Sequence, residues 1–585
     1  MNTIKLTEQY ISIMTTPDDP QFNEIISNVK GIYPVARRKG EYRCSRRKLP
    51  EIMKYGRGLE NPAEMSAIVQ FNWQAEMNRR LMTAELKQNG TTVEYPGLWN
   101  HQNLGVELAR YNNRYNFYYD TRTGKTRMSY QIIENAIRSG RAKRVLVVAP
   151  ASIIPDWLSD AEAFPNLKVV AYYKDNKQKQ LAMSKPSHVV LWSLGTFVDD
   201  LEHIKAIKFD MVIFDESSKL KSYRTKTSKA ALELSKYVKM WYNLSATPAP
   251  NGEQEYWVQM LCLDQYSFSP VRGHFVSRYF DNYSNSKNYE KLVLKPEMRQ
   301  EFMSIIEDYS IYVDQSVMPM AQKIWHTVTF ELSDETWSVY KSMANDSFVE
   351  LIGAAPQQFE DYSDKVIAAT QAAAVRAKLN QITSGFILDT EAIKSNKYSK
   401  ILKLDADMQE VYTVGNGERL DALRRLICGI LRTEPTASMV IWAYYAAEFR
   451  DIGRMLDCYS EMLGGSDFRT VRGGTTAEDK ERAIADFRAK RCRFLLAHPM
   501  SIGMGINLTR AHHAIYYSIN DSWEAFKQSS ERICGHINVQ PEDCHYWIIQ
   551  AEGTVDELIY KNVSQKRDSS TDLLEHLKAV SLSDR

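Results

Sequence analysis

The stretch FDMVIFDE (residues 209–216) decides the fold class of this chain. Four consecutive apolar residues, Met211 to Phe214, are followed directly by the acidic pair Asp215-Glu216. An uninterrupted apolar run between amphipathic helical patterns is typical of a parallel strand buried on both faces. Because open α/β sheets bind their ligands at the carboxyl ends of such strands, the acidic pair predicts a functional edge of a parallel sheet.

Seven further apolar runs repeat this pattern on either side. The first series also contains RVLVVAP (144–150), HVVLWS (188–193) and WYNLSATP (241–248). The second series contains SMVIWAYY (438–445), RFLLAHP (493–499), HHAIYYSI (512–519) and CHYWIIQ (544–550). Strands alternating with helical patterns indicate α/β units with a parallel sheet, and the two clusters predict two α/β lobes.

The length of 585 residues corresponds to about three to five compact units. The region between the two clusters is poor in strand patterns, and its alanine-rich stretch KVIAATQAAAVRAKLNQI (365–382) predicts helix. We expect five parts: a small N-terminal α+β module (1–92), a first lobe (93–268), a mainly helical insertion (269–410), a second lobe (411–570) and a C-terminal tail (571–585).

Composition excludes several classes of protein. Lysine and arginine total 74 against 72 acidic residues, a net charge of +2, which rules out a polycation and an acidic disordered chain. The N-terminus lacks a signal pattern, no apolar run is long enough to span a bilayer, and the seven cysteines are scattered singly. We expect a soluble monomer in the cytoplasm of a bacterial or phage-infected cell, or in a eukaryotic nucleus, with no membrane partner.

The segment DTRTGKTRMS (120–129) carries the first chemical signal. It lies between the strand pattern NFYY (116–119) and a helical pattern, and a loop of this kind points backbone N–H groups at an anion. Lys125 would reach the β- and γ-phosphates, and the Thr126 hydroxyl would hold Mg²⁺. Because Tyr119 stands where G-x-x-x-x-G-K-[ST] has its first glycine, an ordinary helix-start loop remains the alternative. The nucleotide-binding residues assigned to this loop are Thr121, Arg122, Thr123, Gly124, Lys125 and Thr126.

Asp215 and Glu216 supply the second signal. An aspartate at a strand end can hold Mg²⁺, and an adjacent glutamate can orient or deprotonate the attacking water. A solvated pair of acidic residues is the alternative. The order along the chain favours the catalytic interpretation, because the loop, the acidic pair and Ser245-Ala246-Thr247-Pro248 each follow a predicted strand.

These motifs resemble those of Swi/Snf-like superfamily-two DNA helicases and translocases. The first-lobe segments similar to that family are P-x-L-x-x-H-Q-x-x-G-V (96–106), Ala149-Pro150 with Trp157 downstream, DESSKLKS (215–222) and LSATPAPN (244–251). The second-lobe segments are VRGGTTAEDKERAIADF (471–487), SIGMGINLTRAHHAIYY (501–517) and GTVDELIY (553–560). The resemblance covers residues 96–565 and implies two RecA-like lobes that bind ATP and Mg²⁺ between them and act on DNA.

The resemblance also implies roles for single residues. Gln102 would read the adenine base, and Arg532 would complete the catalytic site from the second lobe. Further nucleotide-site residues implied in the second lobe are Gly503, Gly505 and Asn507. The residues implied to contact DNA, or to transmit the nucleotide state to it, are Ser245, Thr247, Gly473, Thr475 and Thr476.

The N-terminal module has the strongest local charge. The segment KGIYPVARRKGEYRCSRRK (30–48) contains eight basic residues and one acidic residue, with tyrosines interleaved. Basic residues that neutralise phosphates beside rings that stack on bases are typical of a nucleic-acid surface. The segment also resembles, more loosely, the substrate-recognition module of HARP-type annealing helicases. The DNA-contacting residues assigned here are Arg37, Arg38, Arg43, Arg46 and Arg47.

One departure from the family pattern leaves alternatives open. The family usually has an arginine three positions after the one matching Arg532, and this chain has Gly535 there. We expect an ATP-dependent translocase that remodels forked or branched DNA by branch migration, annealing or fork reversal, as phage recombination helicases do. The alternatives are an RNA-dependent helicase and a DNA-binding scaffold whose ATPase is impaired by Gly535.

Overall fold

The computed structural model divides into two compact units, one up to Val317 and one beginning at Met318. The residues that the structure describes are 3–7, 10–14, 24–25, 27–35, 38, 40–55, 63–172, 187–250, 252–282, 292–341, 343, 376–388, 403–404, 411–463, 468–502, 506–520, 522–535 and 542–564.

The N-terminal module of the first unit is an antiparallel sheet packed on helices. Its strands, in the spatial order β1-β2-β4-β3, are β1 (Thr3–Leu6), β2 (Tyr10–Met14), β3 (Ile32–Pro34) and β4 (Glu41–Ser45). Its helices are α1 (Leu49–Tyr55) and the long α2 (Ala63–Asn89). Ile11, Ile13, Cys44 and Ile52 lie in a small core of their own. The predicted mixture of helix and strand in this module is confirmed.

The first lobe is a seven-stranded parallel sheet in the order β13-β5-β10-β9-β6-β8-β7. Its strands are β5 (Arg114–Tyr119), β6 (Val145–Ala149), β7 (Val169–Tyr172), β8 (Val189–Ser193), β9 (Met211–Asp215), β10 (Met240–Leu244) and β13 (Ser310–Val313). A separate two-stranded sheet consists of β11 (Phe280–Asn282) and β12 (Leu292–Leu294). Every residue of β6, β8, β9 and β10 is buried, which confirms the strands predicted from the apolar runs.

Helices cover both faces of this sheet. They are α3 (Asn100–Tyr111), α4 (Lys125–Arg138), α5 (Ile154–Ala161), α6 (Leu201–Ile207), α7 (Lys226–Ser235), α8 (Tyr256–Leu263), α9 (Arg272–Tyr279) and α10 (Arg299–Asp308). Side chains alternate along each strand, so Phe214 and Trp241 join the core on one face while Ile213 and Tyr242 join the core on the other.

The second unit contains a six-stranded parallel sheet in the order β14-β22-β21-β18-β20-β19. These strands are β14 (Lys323–Phe330), β18 (Met439–Trp442), β19 (Phe468–Val471), β20 (Phe494–Ala497), β21 (His513–Tyr516) and β22 (Cys544–Ala551). A small antiparallel sheet contains β15 (Phe386–Leu388), β16 (Lys403–Leu404) and β17 (Val411–Thr413). The helices are α11 (Glu418–Thr433), α12 (Ala446–Leu463), α13 (Ala477–Arg488) and α14 (Trp523–Ser530), with further helical residues at 334–341, 376–383 and 555–564. The two parallel sheets flanked by helices confirm the two predicted α/β lobes.

The boundaries predicted for the helical insertion are wrong in part. β13 lies inside 269–410 but pairs with β5 in the first sheet, and β14 pairs with β22 in the second. The described helix at 376–383 agrees with part of the helix predicted over 365–382, whereas the rest of that stretch and the tail 571–585 lie outside the described residues. Among the described residues, none of the helices combines the length and apolar character that a membrane span requires.

Candidate active site

Four loops meet at the carboxyl edge of the first sheet. Strands β5, β10, β9 and β6 are neighbours in that order, with Phe117 opposite Leu244 and Leu244 opposite Asp215. The loop after β5 contains the segment from Asp120 to Gly124, and the loop after β9 begins with Glu216. The parallel sheet therefore brings the predicted phosphate loop and the acidic pair to one edge.

The phosphate loop is a tight turn closed by its own side chains. The Thr123 hydroxyl donates to the Asp120 carbonyl at 2.7 Å, and the Thr121 N–H donates to the Asp120 carboxylate at 2.8 Å. Gly124 starts α4 with a φ of +75°, and a Cβ built there would lie 1.9 Å from the amide nitrogen of Gln102. Arg122 also has a positive φ, of 62°. The backbone conformation therefore favours glycine at 124, and a larger residue there would displace the Gln102 amide from the loop.

Gln102 holds the phosphate loop in place. Its side-chain nitrogen donates to the carbonyls of Thr123 and Gly124 at 3.2 and 3.1 Å, and its oxygen accepts from the Trp99 N–H at 2.8 Å. The ring nitrogen of His101 lies 2.8 Å from the Thr123 carbonyl. The role of Gln102 in reading adenine stays a prediction, because these contacts connect it to the loop itself.

Lys125 lies over the loop, next to the acidic pair. Its ammonium donates to the carbonyls of Tyr119 and Asp120, both at 3.0 Å. Its charge also opposes the effect of burial on the pKa of Asp215. Thr126 follows at the second residue of α4 and is half-buried. A cation and a helix N-terminus at one place form an arrangement that suits a polyphosphate.

Asp215 is buried and held by two donors. The indole nitrogen of Trp157 donates to its Oδ2 at 3.0 Å, and the Glu216 N–H donates to its Oδ1 at 3.0 Å. Burial raises the pKa of Asp215, while the Lys125 charge and the Trp157 hydrogen bond lower it. A buried carboxylate that faces a lysine and is fixed in orientation fits a site for a divalent cation.

Glu216 has a backbone conformation that is rare for its residue type. Its φ of 57° and ψ of 53° place it in the left-handed region, immediately before the short helical turn Ser217–Leu220. A residue with a Cβ is destabilised there by about 1–2 kcal/mol. Strain of this kind is retained where the position of a side chain matters for function, which supports a catalytic role for Glu216.

Trp157 bonds the Asp215 carboxylate, a contact that its place downstream of Ala149-Pro150 did not predict. It is 1% exposed, its ring contacts Tyr130 of α4 edge-to-face, and the Tyr130 hydroxyl donates to its carbonyl at 2.8 Å. Trp157 therefore connects α4, which follows the phosphate loop, to Asp215 on β9. No local pattern could reveal this contact, since 58 residues separate Trp157 from Asp215.

We expect Trp157→Phe to raise the Mg²⁺ concentration for half-maximal ATPase activity about tenfold, because groups that orient a metal ligand typically contribute 10–100-fold to affinity. The turnover at saturating Mg²⁺ should change less than threefold. Trp192→Phe is the matched control, since Trp192 is equally buried and its indole donates to Asp200 at 3.2 Å. An unchanged Mg²⁺ titration in Trp157→Phe would contradict the positioning role.

Ser245 and Thr247 follow β10, between the loop and the acidic pair. The Ser245 hydroxyl is fully buried and accepts from the Thr247 N–H at 3.1 Å, which fixes the turn. The structure brings both residues to the carboxyl edge of the sheet. Their roles in contacting DNA and in transmitting the nucleotide state stay predictions.

The second unit contains the remaining residues of the predicted nucleotide site. Arg532 is 7% exposed, and its backbone carbonyl accepts from the Leu508 N–H at 2.9 Å. Its charge, together with burial, lowers the pKa of Lys480 on α13. The Asn507 side chain accepts from the Thr509 N–H at 2.8 Å. Gly503 and Gly505 lie outside the described residues.

Gly473, Thr475 and Thr476 precede α13 in the second unit. A Cβ at Gly473 would meet no atom within 4 Å, so its backbone faces open space. The Thr475 hydroxyl accepts from the Arg472 N–H at 3.0 Å, and Thr476 caps α13 by accepting from the Asp479 N–H at 3.2 Å. The structure gives both hydroxyls local roles, and the predicted DNA contacts are not tested by it.

The basic N-terminal segment attaches the module to the first lobe. Arg47 is 11% exposed, lies 2.9 Å from the Asp308 carboxylate and stacks 3.5 Å above the Tyr309 ring. Arg43 lies 2.7 Å from Glu41 and also donates to the Tyr266 hydroxyl at 3.3 Å. These two side chains therefore have intramolecular partners that the charge pattern did not reveal.

The other basic residues of the segment differ in exposure. Arg38 is 66% exposed and lies 3.0 Å from Glu41, while Arg46 donates to Asn72 at 2.5 Å. Arg37 lies outside the described residues. The assignment of this segment to DNA binding remains a prediction, and the exposed Arg38 is the described arginine best placed for it.

Asp308 holds two arginines of the module and its long helix. It lies 2.9 Å from Arg47 and 3.1 Å from Arg79, and this pairing keeps the pKa of its carboxyl far below the usual range.

We expect Asp308→Asn to lower the free energy of unfolding of the first unit by about 1–2 kcal/mol, because Asp308 is 36% exposed and solvent screens part of the pairing. Urea denaturation measures this. Asp281→Asn, at an exposed position, should be neutral, and an equal effect of both variants would contradict the role of Asp308.

Metal-binding clusters are absent from the described residues, where no group of three histidine, cysteine or acidic side chains is placed to hold an ion.

Comparison with known proteins places the chain in a family. The SNF2-related domain matches residues 69–397, and the helicase conserved C-terminal domain matches residues 418–534. Putative protein p41 of Acyrthosiphon pisum secondary endosymbiont phage 1 is 24% identical over 78% of this chain and 93% of that protein.

Two longer proteins are also similar. The putative ATP-dependent helicase/translocase YwqA of Bacillus subtilis is 22% identical over 69% of this chain and 40% of its own length. The DNA repair and recombination protein RAD54B of Gallus gallus is 22% identical over 76% of this chain and 50% of its own length. This chain thus spans half or less of these two relatives. The SNF2-related match covers more than half of the chain and contains the phosphate loop, the acidic pair and the turn after β10. The chain therefore belongs to the SNF2-related family of ATP-dependent helicases and translocases.

Proposed function

We propose that this chain hydrolyses ATP·Mg²⁺ to move along DNA and remodels forked or branched duplexes by branch migration, annealing or fork reversal. The observation that supports hydrolysis most directly is the meeting of the phosphate loop and the Asp215-Glu216 pair at one sheet edge. The names of relatives in repair and recombination, such as RAD54B, support the choice of branched substrates.

In this proposal each side chain of the first lobe has a separate task. Lys125 exchanges its two carbonyl partners for phosphate oxygens, and the N–H groups at the start of α4 contact the same phosphates. Thr126 and Asp215 hold Mg²⁺, which when bound neutralises charge on the transferred phosphoryl group. Glu216 accepts a proton from the attacking water or orients it. Arg532 is assigned the positive charge that stabilises the transferred phosphoryl group.

Steady-state ATPase measurements on forked, duplex and single-stranded DNA test the proposal. We expect stimulation by DNA to be at least tenfold and strongest with forks or four-way junctions. Equal stimulation by all three DNA forms would contradict the preference for branches, and no stimulation by any DNA would contradict the motor itself. A matched RNA panel addresses the RNA-dependent alternative, which predicts larger stimulation by RNA.

Gly535 provides a specific reason to consider the scaffold with impaired ATPase. It is buried, and its carbonyl accepts from the Ala321 N–H at 3.0 Å, so the backbone there packs tightly. If Arg532 is the working arginine, Arg532→Ala should lower turnover at least a hundredfold, since arginine fingers contribute about 10³–10⁵. Turnover that is already low and unchanged by Arg532→Ala would favour the scaffold.

A further inference from the structure

A cavity of about 430 Å³ lies between α3 and α4, near the C-terminal ends of both helices. Its wall includes Arg138, the last residue of α4, whereas the phosphate loop precedes the first residue, Lys125. Thirteen residues of helix rise about 20 Å, so the cavity is separate from the nucleotide site. Its volume is within the range of about 300–1,000 Å³ that is usual for ligand sites.

Three arginines surround this cavity, and none of its lining residues is acidic. Arg138 donates to Asn135 at 3.2 Å, and Arg141 donates to Asn113 and to the Ala109 carbonyl at 2.7 and 3.2 Å. Within the described part of the chain, these hydrogen bonds lead to neutral acceptors. The cavity therefore has positive charge to offer an acidic ligand.

The third arginine, Arg110, is paired with Glu107. Arg110 is 65% exposed and lies 3.4 Å from Glu107, which is 5% exposed and accepts from the Tyr95 hydroxyl at 2.7 Å. This hydrogen bond and burial raise the pKa of Tyr95 to about 12. Glu107 thus accepts from Tyr95 at Oε1 and from Arg110 at Oε2, so it offsets part of the Arg110 charge, and Arg138 and Arg141 are the two lining arginines whose described acceptors are neutral.

The floor of the cavity is apolar. Val106, Ala109 and Ile132 are 2%, 2% and 4% exposed, and all three line the cavity. The apolar floor complements an apolar side chain, and the guanidinium groups around it complement acidic residues. A peptide with one apolar side chain among acidic residues would match both.

We propose that this arginine-rimmed cavity binds a short acidic peptide segment of a partner protein, with one large apolar side chain of that segment seated on the floor. The charge of the rim and the apolar floor argue together for this occupant. A nucleic-acid backbone would use the charge alone and would leave the floor empty. The proposal goes beyond the ATPase and does not depend on it.

The occupant would touch both helices that build the phosphate loop. α3 carries Gln102, which bonds the loop carbonyls, and α4 begins at Lys125. A bound peptide would contact α3 and α4 near their C-terminal ends. The phosphate loop lies at the other end of α4, where that helix begins.

Fluorescence anisotropy with the full chain tests the proposal. The probe is a labelled pentapeptide, Asp-Asp-Asp-Asp-Phe, compared with Ser-Ser-Ser-Ser-Phe and Asp-Asp-Asp-Asp-Ala. We expect measurable binding of the first peptide below about 100 μM, and at least tenfold weaker binding of the other two, because each lacks one of the two complementary parts.

Arg138→Glu should weaken binding of the pentapeptide at least tenfold, and Arg138→Ser about threefold. Arg138 is exposed, and within the described part of the chain its side chain donates to Asn135, so both variants should fold and keep their ATPase without peptide. Lys236→Ser, an exposed basic position elsewhere on the lobe, is the control and should bind like the wild type. Equal binding by wild type and Arg138→Glu would overturn the proposal. A second result would also overturn it. If every peptide binds weakly and Arg138→Glu loses binding of single-stranded DNA, the cavity belongs to nucleic acid.

Discussion

Replacing Glu216 by glutamine is expected to lower ATP turnover about 10³-fold, because general bases contribute roughly 10²–10⁴ to rate. The affinity for ATP should change less than threefold, since Glu216 follows β9 and is assigned to the attacking water rather than to the phosphates. Phosphate release at saturating DNA and ATP measures the first quantity, and equilibrium ATP binding measures the second.

Two further variants separate chemistry from folding. Glu202→Gln changes a glutamate that is 84% exposed on the same lobe, and we expect wild-type turnover. Glu216→Gly removes the carboxylate and also the left-handed strain at φ 57°. It should be as inactive as Glu216→Gln while the free energy of unfolding stays the same or rises by up to about 1 kcal/mol. Turnover of Glu216→Gln within tenfold of wild type would contradict the assignment.

Replacing Asp556 by asparagine is expected to destabilise the second unit by about 3–5 kcal/mol, the usual cost of leaving one partner of a buried ion pair. Asp556 and Arg419 are paired at 4% and 1% exposure. The Asp556 carboxylate also accepts from Asn380 and the Thr383 hydroxyl at 2.9 Å and from the Ala551 N–H at 3.0 Å. Urea denaturation of the wild type and variant measures the difference.

The chain provides a matched control for this pair. Arg424 and Asp421 on α11 are 3.0 Å apart but 60% and 52% exposed, so Asp421→Asn should cost less than about 0.5 kcal/mol. The double variant Arg419→Met with Asp556→Leu should be more stable than Asp556→Asn, because no charge is left buried. Destabilisation by Asp556→Asn of less than about 1 kcal/mol would show that the network is not held by charge.

The sequence predicted the buried strands well, because a strand covered on both faces must be apolar throughout. It missed β14, which forms an edge of its sheet and is mostly half-buried, with Phe330 as its buried residue. Such a strand lacks a continuous apolar run, and so the region was assigned to a helical insertion. β13 was missed because four residues directly after a helix carry too little pattern.

The candidate site was predictable where residues act within a few positions of one another, as in the loop around Lys125 and in the acidic pair. The contacts that depend on distant partners were not predictable. Trp157 meets Asp215 across 58 residues, and Arg47 meets Asp308 across 261. The local density of basic residues therefore predicted that Arg47 contacts DNA. In the fold, Arg47 instead lies against the Asp308 carboxylate and the Tyr309 ring.

The pairing of β14 with β22 sets the order in which the second unit can be completed during synthesis. Lys323 of β14 pairs with Cys544 of β22, so the ribosome must add more than 200 residues before this edge of the sheet acquires its partner. The first sheet has a similar separation, since Ser310 of β13 pairs with Asn116 of β5, but it is complete earlier in the chain, when β13 ends at Val313. A nascent chain halted between these points exposes β14 as an open edge with unsatisfied backbone groups. Chain termination upstream of 544 should therefore yield a folded first unit attached to an aggregation-prone second one.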